Sequence, residues 1–346
     1  PPTTLPGRFI EDVDFRHVNN DPAHPEDGVV DPNLKPMKAM EFTVGLDREL
    51  DTVTSLGVRY VHKRVLRAIE DQGTLMPGVG EVYAVANVGF GPVARTSAGI
   101  DVANALGQAL PDPRQPKAKR DYDGVEIRLR RRLSGNFAIN TSYLWSRLWG
   151  NYSGLASSDE QGRTTPNVNR FFDLVIMSFD QNGKPVYGHL QTDRPHQFKA
   201  QPIYTLPWGT TISANQLIAS GTPISHRVDM RAPATGIYYH GRGSAGRTPV
   251  FSQTDFYIQH EFKISRNGRL RIDLNVLNLF DQNTTTDKFQ FETRGGPIAI
   301  SEADFFKGFD VQALIAAQNR PRDPRFLMDW GFQAPRELRI GITYLF

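Results

Sequence analysis

The feature that most constrains the fold of this chain is an alternation of apolar and polar residues that recurs about nine times along the sequence. In EFTVGLDR, for example, Phe42 and Val44 alternate with Glu41 and Thr43. Successive side chains of a β-strand point to opposite faces, so this period of two predicts strands that are apolar on one side and polar on the other. The strands are predicted near residues 38–49, 54–66, 120–132, 136–148, 195–206, 210–221, 253–264, 268–280 and 336–346.

The lengths of these segments and of their connections favour an all-β, transmembrane fold. Each predicted strand has about 11 to 13 residues, which is enough to cross a bilayer and longer than an average soluble strand. Short turns alternate with long connections, near residues 67–119, 149–193, 222–252 and 281–335. Short turns on one rim and long loops on the other are typical of outer-membrane barrels.

We therefore predict that residues 37–346 form the C-terminal part of a transmembrane antiparallel β-barrel with long extracellular loops. Residues 1–36 are expected to form an extracellular loop before it. A soluble, β-rich carbohydrate-binding module is the alternative that alternation alone leaves open, since its strands also alternate.

The composition agrees with this fold class and excludes several functions. Mean hydropathy is −0.42, which suits barrel strands because they need apolar side chains only at alternate positions. The formal net charge is +3, from 40 basic and 37 acidic residues, which argues against a nucleic-acid partner. The absence of cysteine excludes thiol catalysis and disulfides. The first residues carry no signal peptide, and we expect the sequence to begin within a longer chain.

The alternation also predicts which side chains face the two sides of the barrel wall. The residues expected to face lipid are Phe42, Val44, Val125, Ile127, Leu129, Phe256, Ile258, Leu270, Ile272, Ile340 and Ile342. The candidates expected to face the lumen are Arg59, Glu126, Arg128, Arg130, Glu261, Lys263, Asp273 and Arg339. We interpret the basic run at 128–132 as part of an ion-pair lattice with nearby carboxylates. A wall that guides a charged ligand is the alternative.

The C-terminal residues resemble a known assembly signal. RELRIGITYLF places Gly341, Tyr344 and Phe346 in an alternating strand, which is similar to the β-signal read by the machinery that assembles outer-membrane barrels. Upstream, NVLNLFDQ at 275–282 resembles the N-L-F-D/N block near the C-terminus of TonB-dependent receptors. The segments 31–50 and 58–71 look like the Oar-like subgroup of these receptors.

This resemblance to the C-terminal part of a TonB-dependent receptor implies a fold, a location and a function. The fold is a barrel of about 22 strands in the outer membrane of a Gram-negative cell, of which this chain supplies about nine. The function is uptake or export of a large ligand through a plugged barrel. A barrel that acts as a structural or surface-assembly scaffold without transport is the alternative.

The same resemblance implies several partners. They are outer-membrane lipid or lipopolysaccharide, upstream barrel strands and a plug, TonB, and a transported ligand that the sequence does not identify. Neither a plug nor a TonB box is recognised within these 346 residues, so no residue here is assigned to energy coupling.

Other motifs predict no catalytic, cofactor or metal site, and we expect that the chain is not an enzyme. GRGSAG at 241–246 matches the dinucleotide-binding pattern G-x-G-x-x-G, but it lies in a predicted loop that leads into a strand rather than a helix. His189, His196, His226 and His240 lack the close spacing of metal ligands, and we interpret them as loop histidines.

Three further expectations concern a helix, the edges of the sheet, and the aromatic residues that would form girdles at the two membrane surfaces. Residues 301–319 break the alternation and favour a helix capped by Ser301. An odd number of strands would leave the first and last strands parallel, so we expect both to pair with strands outside this sequence, unless residues 8–15 supply a tenth strand. Aromatic residues expected in the girdles near the strand ends are Tyr60, Trp145, Trp149, Tyr204, Trp208, Tyr257 and Tyr344.

Overall fold

The computed structural model describes residues 29–31, 33–76, 80–90, 115–154, 172, 175–230, 235–266 and 268–346. Nine of its strands are between 9 and 15 residues long, and they fall in the nine alternating segments. In chain order the strands are β1 (Val29–Val30), β2 (Lys38–Glu49), β3 (Thr54–Arg67), β4 (Glu70–Met76), β5 (Gly80–Ala86), β6 (Arg120–Ser134), β7 (Phe137–Gly150), β8 (Gly188–His189), β9 (His196–Thr205), β10 (Thr210–Ala219), β11 (Val228–Met230), β12 (Thr235–Ile237), β13 (Phe251–Lys263), β14 (Arg269–Leu277), β15 (Thr285–Lys288), β16 (Asp329–Phe332) and β17 (Glu337–Leu345).

The nine long strands form one antiparallel sheet. Its order is β2-β3-β6-β7-β9-β10-β13-β14-β17, and the short strand β8 pairs with the end of β7. Each long strand therefore lies beside the long strands that precede and follow it in the sequence. This meander confirms the predicted all-β, antiparallel fold.

Tight turns connect alternate pairs of long strands at one end of the sheet, which we call the turn rim. In the β2–β3 turn, Asp51 Oδ1 accepts hydrogen bonds from the backbone N–H groups of Val53 and Thr54, each 2.8 Å long. These hydrogen bonds, the one from Val53 first, lower the pKa of the Asp51 carboxyl. Gly135 and Gly209 occupy later turns with φ of 60° and 90°, a left-handed conformation that favours glycine. The opposite end of the sheet is the loop rim.

The sheet is open, because its two outermost strands have a partner on one side only among the described residues. The edge strand β2 pairs with β3, and the other edge strand, β17, pairs with β14. Every residue of β2 is exposed. Residues 8–15, which could have supplied a tenth strand, lie outside the described part of the chain.

The long connections pack together at the loop rim into a folded unit, the loop cap, which comprises the described residues within 68–119, 151–195, 220–250 and 278–336. The cap has its own strand pairs, β4–β5 with β1, β11–β12 and β15–β16. One cluster of buried residues consists of Ile176, Met177, Val228, Met230, Ile237, Tyr239, Ile298, Phe305, Val311 and Ile315. A second consists of Val65, Ala68, Val88, Ala118, Tyr152, Phe172, Val186 and Tyr238. The apolar core of the described chain thus lies mainly in the cap, outside the sheet.

The helix expected over residues 301–319 is divided in two. The structure has α1 (Glu302–Phe305) and α2 (Val311–Ala317), separated by Gly308 at a φ of 88°. Asp310 caps α2, because its Oδ1 accepts from the backbone N–H of Gln312 at 2.8 Å. The expectation of one continuous helix was wrong, since a left-handed glycine and a second N-cap interrupt it. Within the described ranges, no helix is both long and apolar enough to cross a membrane.

Candidate functional site on the polar face of the sheet

The strand register sorts the side chains of the long strands into two faces, because residues paired across a ladder project to the same side. Arg59, for example, lies opposite Gly45 on β2 and Glu126 on β6. One face, which we call the polar face, carries all of Arg59, Glu126, Arg128, Arg130, Glu261, Lys263, Asp273 and Arg339. The opposite, apolar face carries all eleven residues expected to contact lipid.

The apolar face is open to its surroundings. Ile340 is 76% exposed, Ile342 is 72% exposed and Phe42 is 56% exposed. Monomeric soluble proteins rarely leave contiguous apolar surfaces of this kind uncovered. A lipid environment accommodates such a surface, which is why the described geometry favours a membrane protein over a soluble β-module.

Toward the loop rim, the apolar face gives way to charged pairs. The Arg64 guanidinium donates two hydrogen bonds to the Asp121 carboxylate, 2.9 and 3.1 Å long. Next to it, the Tyr60 hydroxyl donates to Asp123 Oδ1 at 2.8 Å, and His62 Nδ1 lies 2.8 Å from the same oxygen. Paired charges of this type suit the headgroup region better than the hydrocarbon core of a bilayer.

The aromatic residues expected in the girdles lie on the apolar face or in a turn, with one exception. The register places Tyr257 on the polar face, opposite Ser213, and its hydroxyl donates to Gln259 Oε1 at 3.0 Å. The expectation for Tyr257 was wrong, because closeness to a strand end does not tell which way a side chain points. The girdle residues that do share the apolar face are Tyr60, Trp145, Trp149, Tyr204 and Tyr344, and Trp208 lies in the β9–β10 turn.

Ion pairs cross the polar face between neighbouring strands. Arg59 Nη2 lies 2.9 Å from Glu126 Oε2, and Arg271 Nη2 lies 2.7 Å from Glu261 Oε1. Exposed pairs of this type each contribute about 0–1 kcal/mol, so they set the charge pattern of the surface more than its stability. Further pairs between strands join Lys63 with Glu41 and Arg269 with Glu261, and Arg339 pairs with Glu337 within β17.

Gly341, a residue of the predicted assembly signal, makes room for a charge on the polar face. A Cβ at position 341 would lie 2.6 Å from each carboxylate oxygen of Asp273, its partner in the register. Any larger residue would therefore displace that carboxylate. On the other face, the Tyr344 ring stacks against Phe346, which is fully exposed.

A chain of amide side chains crosses the middle of the polar face from β7 to β13. Asn140 Nδ2 donates to Gln201 Oε1 at 3.4 Å, and Gln201 Nε2 donates to Asn215 Oδ1 at 3.2 Å. Asn215 Nδ2 then donates to Asp255 Oδ2 at 3.3 Å. The three amides are exposed, so they present polar groups to whatever the polar face contacts.

At the β7 end of this amide chain lies a cleft of about 410 Å³, close to the turn rim. Its charged groups are Asp47, Arg128 and Arg130. Arg128 Nη2 lies 3.4 Å from Asp47 Oδ1, a loose contact between a half-exposed arginine and a largely exposed carboxylate. The remaining lining residues are Ser55, Gly57 and Asn140.

Asp193 and Glu292 hold the loop cap together through buried carboxylates. Asp193 accepts a hydrogen bond from the backbone N–H of Leu148 at 2.6 Å and from Arg247 Nη2 at 2.5 Å. Glu292 accepts from the Tyr239 hydroxyl, and from Gln312 Nε2 at 3.1 Å. Both carboxylates were missed by sequence reasoning, because isolated acidic residues in long loops look like ordinary solvated charges.

The four histidines have polar or aromatic neighbours. The expectation that all four lie in loops was wrong, since His189 lies in β8 and His196 begins β9. His189 Nδ1 lies 3.0 Å from Asp193 Oδ2, and His196 Nδ1 lies 2.7 Å from the Tyr143 hydroxyl. The rings of His226 and His240 are nearly perpendicular, with centroids 5.5 Å apart. In the described part of the chain, no group of three or more His, Cys, Asp or Glu side chains is placed to hold a metal ion.

GRGSAG at 241–246 is a turn of the loop cap. Gly241, Gly243 and Gly246 have φ of 83°, 73° and 89°, and the next regular element is the strand β13. The dinucleotide fingerprint requires a helix at this point. The segment therefore lacks the context of a phosphate-binding loop.

A wide antiparallel sheet with one exposed apolar face, one charged face and long connections at a single rim is the wall of a transmembrane β-barrel. Residues 1–221 match the family described as an outer membrane beta barrel domain, and the chain belongs to this family. Its location is accordingly the outer membrane of a Gram-negative cell.

The chain is similar to several named proteins. It is 28% identical over 337 residues to the TonB-dependent transporter Oar of Myxococcus xanthus, covering 92% of this chain and 29% of that protein. The chain thus spans less than a third of the length of this relative, which is a transporter.

Among solved structures, the ferric-catecholate import receptor Fiu of E. coli K12 matches 90% of this chain and 28% of its own, with 13% identity and a TM-score of 0.43. The outer membrane transporter YddB of Escherichia coli matches 74% of this chain and 30% of its own, with 12% identity and a TM-score of 0.44.

Proposed function

We propose that this chain is one part of the wall of a TonB-dependent outer-membrane transporter, with the polar face toward the lumen and the apolar face toward lipid. The strand register carries this proposal, since it gathers the eight charged candidates on one face across the whole sheet. An arginine on the lipid side at mid-membrane would cost about 2–4 kcal/mol, so the charged face belongs on the aqueous side.

The two bare edges support a larger barrel. Each unpaired N–H or C=O group exposed to the hydrocarbon core costs several kcal/mol, so an open strand edge is untenable there. The edge strands β2 and β17 therefore pair with further strands of the complete protein. With the turns periplasmic, the loop cap lies at the extracellular mouth, where a ligand would first make contact.

The partners of the complete transporter follow from its family. We infer a plug and TonB on the periplasmic side, lipid or lipopolysaccharide around the apolar face, and a ligand that enters past the loop cap. A surface scaffold without transport is the second candidate. Its support is a group of exposed apolar side chains on the cap, namely Phe280, Met328, Trp330 and Phe332.

Cysteine labelling tests which face is aqueous. Because this chain has no cysteine, Ser213→Cys and Ala214→Cys introduce single thiols at adjacent positions of β10, one on each face. In full-length transporter from which any cysteine outside this chain has been removed, reconstituted in vesicles, we expect a charged, membrane-impermeant methanethiosulfonate to modify the thiol at 213 and to leave the one at 214 unmodified. The reverse pattern would contradict the proposed orientation.

Transport itself separates the two candidate functions. Cells whose transporter lacks TonB coupling should lose ligand accumulation while keeping the barrel in the outer membrane. Unchanged accumulation of every candidate ligand on deletion of the whole transporter gene would favour the scaffold.

A further inference from the structure

The cleft near the turn rim has more positive charge than the carboxylate in it can neutralise. Arg128 and Arg130 both line it, two positions apart on β6, so their Cα atoms are about 7 Å apart. Asp47 is the sole carboxylate lining the cleft, and its contact with Arg128 is 3.4 Å long. Among the residues that the structure describes, no carboxylate lies within ion-pairing distance of Arg130.

The basic run at 128–132 was expected to form ion pairs with nearby carboxylates, and within the described part of the chain Arg130 does not. Arg59, Arg271 and Arg339 on the same face each have a carboxylate within 3 Å. Arg132, at the turn, donates instead to the carbonyl oxygen of Thr52 at 2.6 Å. Among the described residues, Arg130 thus has no carboxylate partner, and it lines the cleft.

The floor and wall of the cleft suit a small polar group. Position 57 must be a glycine, because a Cβ there would lie only 2.2 Å from Asp47 Oδ1. Gly57 therefore lines the cleft with backbone alone. Asn140 donates one amide N–H to Gln201, which leaves its second N–H for a ligand. Ser55 lies opposite Arg130 in the register. A volume of about 410 Å³ is within the range of small-molecule sites.

We propose that this cleft binds an anionic oxygen group, a carboxylate or a phosphate, of a ligand in the lumen. The guanidinium of Arg130 donates to the anion, Arg128 turns from Asp47 toward it, and Asn140 and Ser55 supply neutral hydrogen bonds. Guanidinium groups match such anions in geometry and form charge-assisted hydrogen bonds with them. The site rests on the proposed function, because the polar face must line the lumen and the proposed plug must leave this cleft open to water.

Asp47 gives the proposal its sharpest test. If the cleft is only a piece of the wall, the Asp47 carboxylate is a useful counter-ion, and its removal should not create affinity for anions. If the cleft is a binding site, Asp47 competes with the ligand for Arg128. Removing its charge should then tighten the binding of an anion by about threefold or more, since the exposed contact that it breaks is weak.

The measurement is isothermal titration of the purified full-length transporter in detergent with citrate, inorganic phosphate and, as a neutral probe, sorbitol. We expect citrate and phosphate to bind the unmodified protein and sorbitol not to bind. Arg130→Gln should weaken citrate binding at least about tenfold, because it removes a charge-assisted hydrogen bond. Asp47→Asn should strengthen it.

Arg48→Gln is the matched control, because it removes one positive charge from the apolar face of the neighbouring strand and should leave citrate affinity unchanged. If a carboxylate of the plug occupies the cleft instead, citrate fails to bind the unmodified protein. That result, or equal affinity in Arg130→Gln, overturns the proposal. Labelling of Ser213→Cys on the same preparation shows whether the lumen orientation fails with it.

Discussion

Asp193 and Arg247 are 54 residues apart in the sequence and form an ion pair 2.5 Å long where the loop cap meets the sheet. The Asp193 side chain is fully buried, and Arg247 also donates to the carbonyl oxygens of Asp193 and Gly221, each at 3.0 Å. One guanidinium thus joins the connection after β7 to the connection after β10.

Arg247→Ala is expected to loosen the loop cap while the sheet stays intact. It leaves a buried carboxylate without its counter-ion, a change that typically costs about 3–5 kcal/mol. Hydrogen exchange of cap amides should rise strongly, and exchange in β13 and β14 should not change. Lys307→Ala is the control, because its pair with Asp304 is exposed and should contribute about 1 kcal/mol or less. Equal protection of the cap in both variants would contradict the role of Arg247.

The cap is expected to lose stability in mildly acidic conditions because of His226. Burial first, and then the charge of His240, lower the pKa of His226 below its ordinary value of 6.5, while Glu292 opposes them. The unfolded cap then binds more protons than the folded cap as the pH drops below 6.5. The stabilisation is complete above that pH and is lost as the pH falls toward the folded pKa.

Hydrogen exchange of Val228–Met230, corrected for intrinsic rates, should therefore be faster at pH 5.5 than at pH 7.5. His226→Phe should reduce this pH dependence, and His196→Gln, on a strand away from the cap core, should retain it. An identical pH dependence in His226→Phe and the unmodified protein would rule out His226 as the source.

Deleting Phe346 is expected to lower the amount of barrel in the outer membrane. The ring is fully exposed beyond the end of β17 and is in contact with Tyr344, so its removal costs little packing within the described chain. The loss should appear in membrane fractions, with citrate affinity unchanged in the protein that does assemble. If the variant without Phe346 reaches the outer membrane in normal amounts, the C-terminal residues do not act as an assembly signal.

The amides of β2 are expected to be protected all along the strand in the full-length protein. In an antiparallel pair only alternate residues direct their N–H groups to a given neighbour. With β3 as the sole partner, every second amide of β2 would exchange with water. Slow exchange at both sets of positions would show that another strand covers this edge, and fast exchange at alternate amides would show that it remains open.

The sequence by itself determined the strands and the two faces of the sheet. Period two is a local property, and alternation along each strand fixes which side chains share a face whatever the fold around them. Arg59 and Glu126 could thus be assigned to one face, and Phe42 and Val125 to the other, before any pairing was known. The register then showed that these separate assignments agree across the six strands that carry the assigned residues, β2, β3, β6, β13, β14 and β17.

Only the tertiary structure decided what the long connections do and which charges lack a partner. The Asp193–Arg247 pair, the Glu292 contacts and the cap clusters join residues that are far apart in sequence, and no local periodicity signals them. The face of Tyr257 was likewise not predicted, because a position near a strand end does not determine on which face a side chain lies. Arg59 lies opposite Glu126 in the register, whereas Arg130 lies opposite Ser55 and Asn140. Only the pairing of neighbouring strands decides this difference, because register brings partners together.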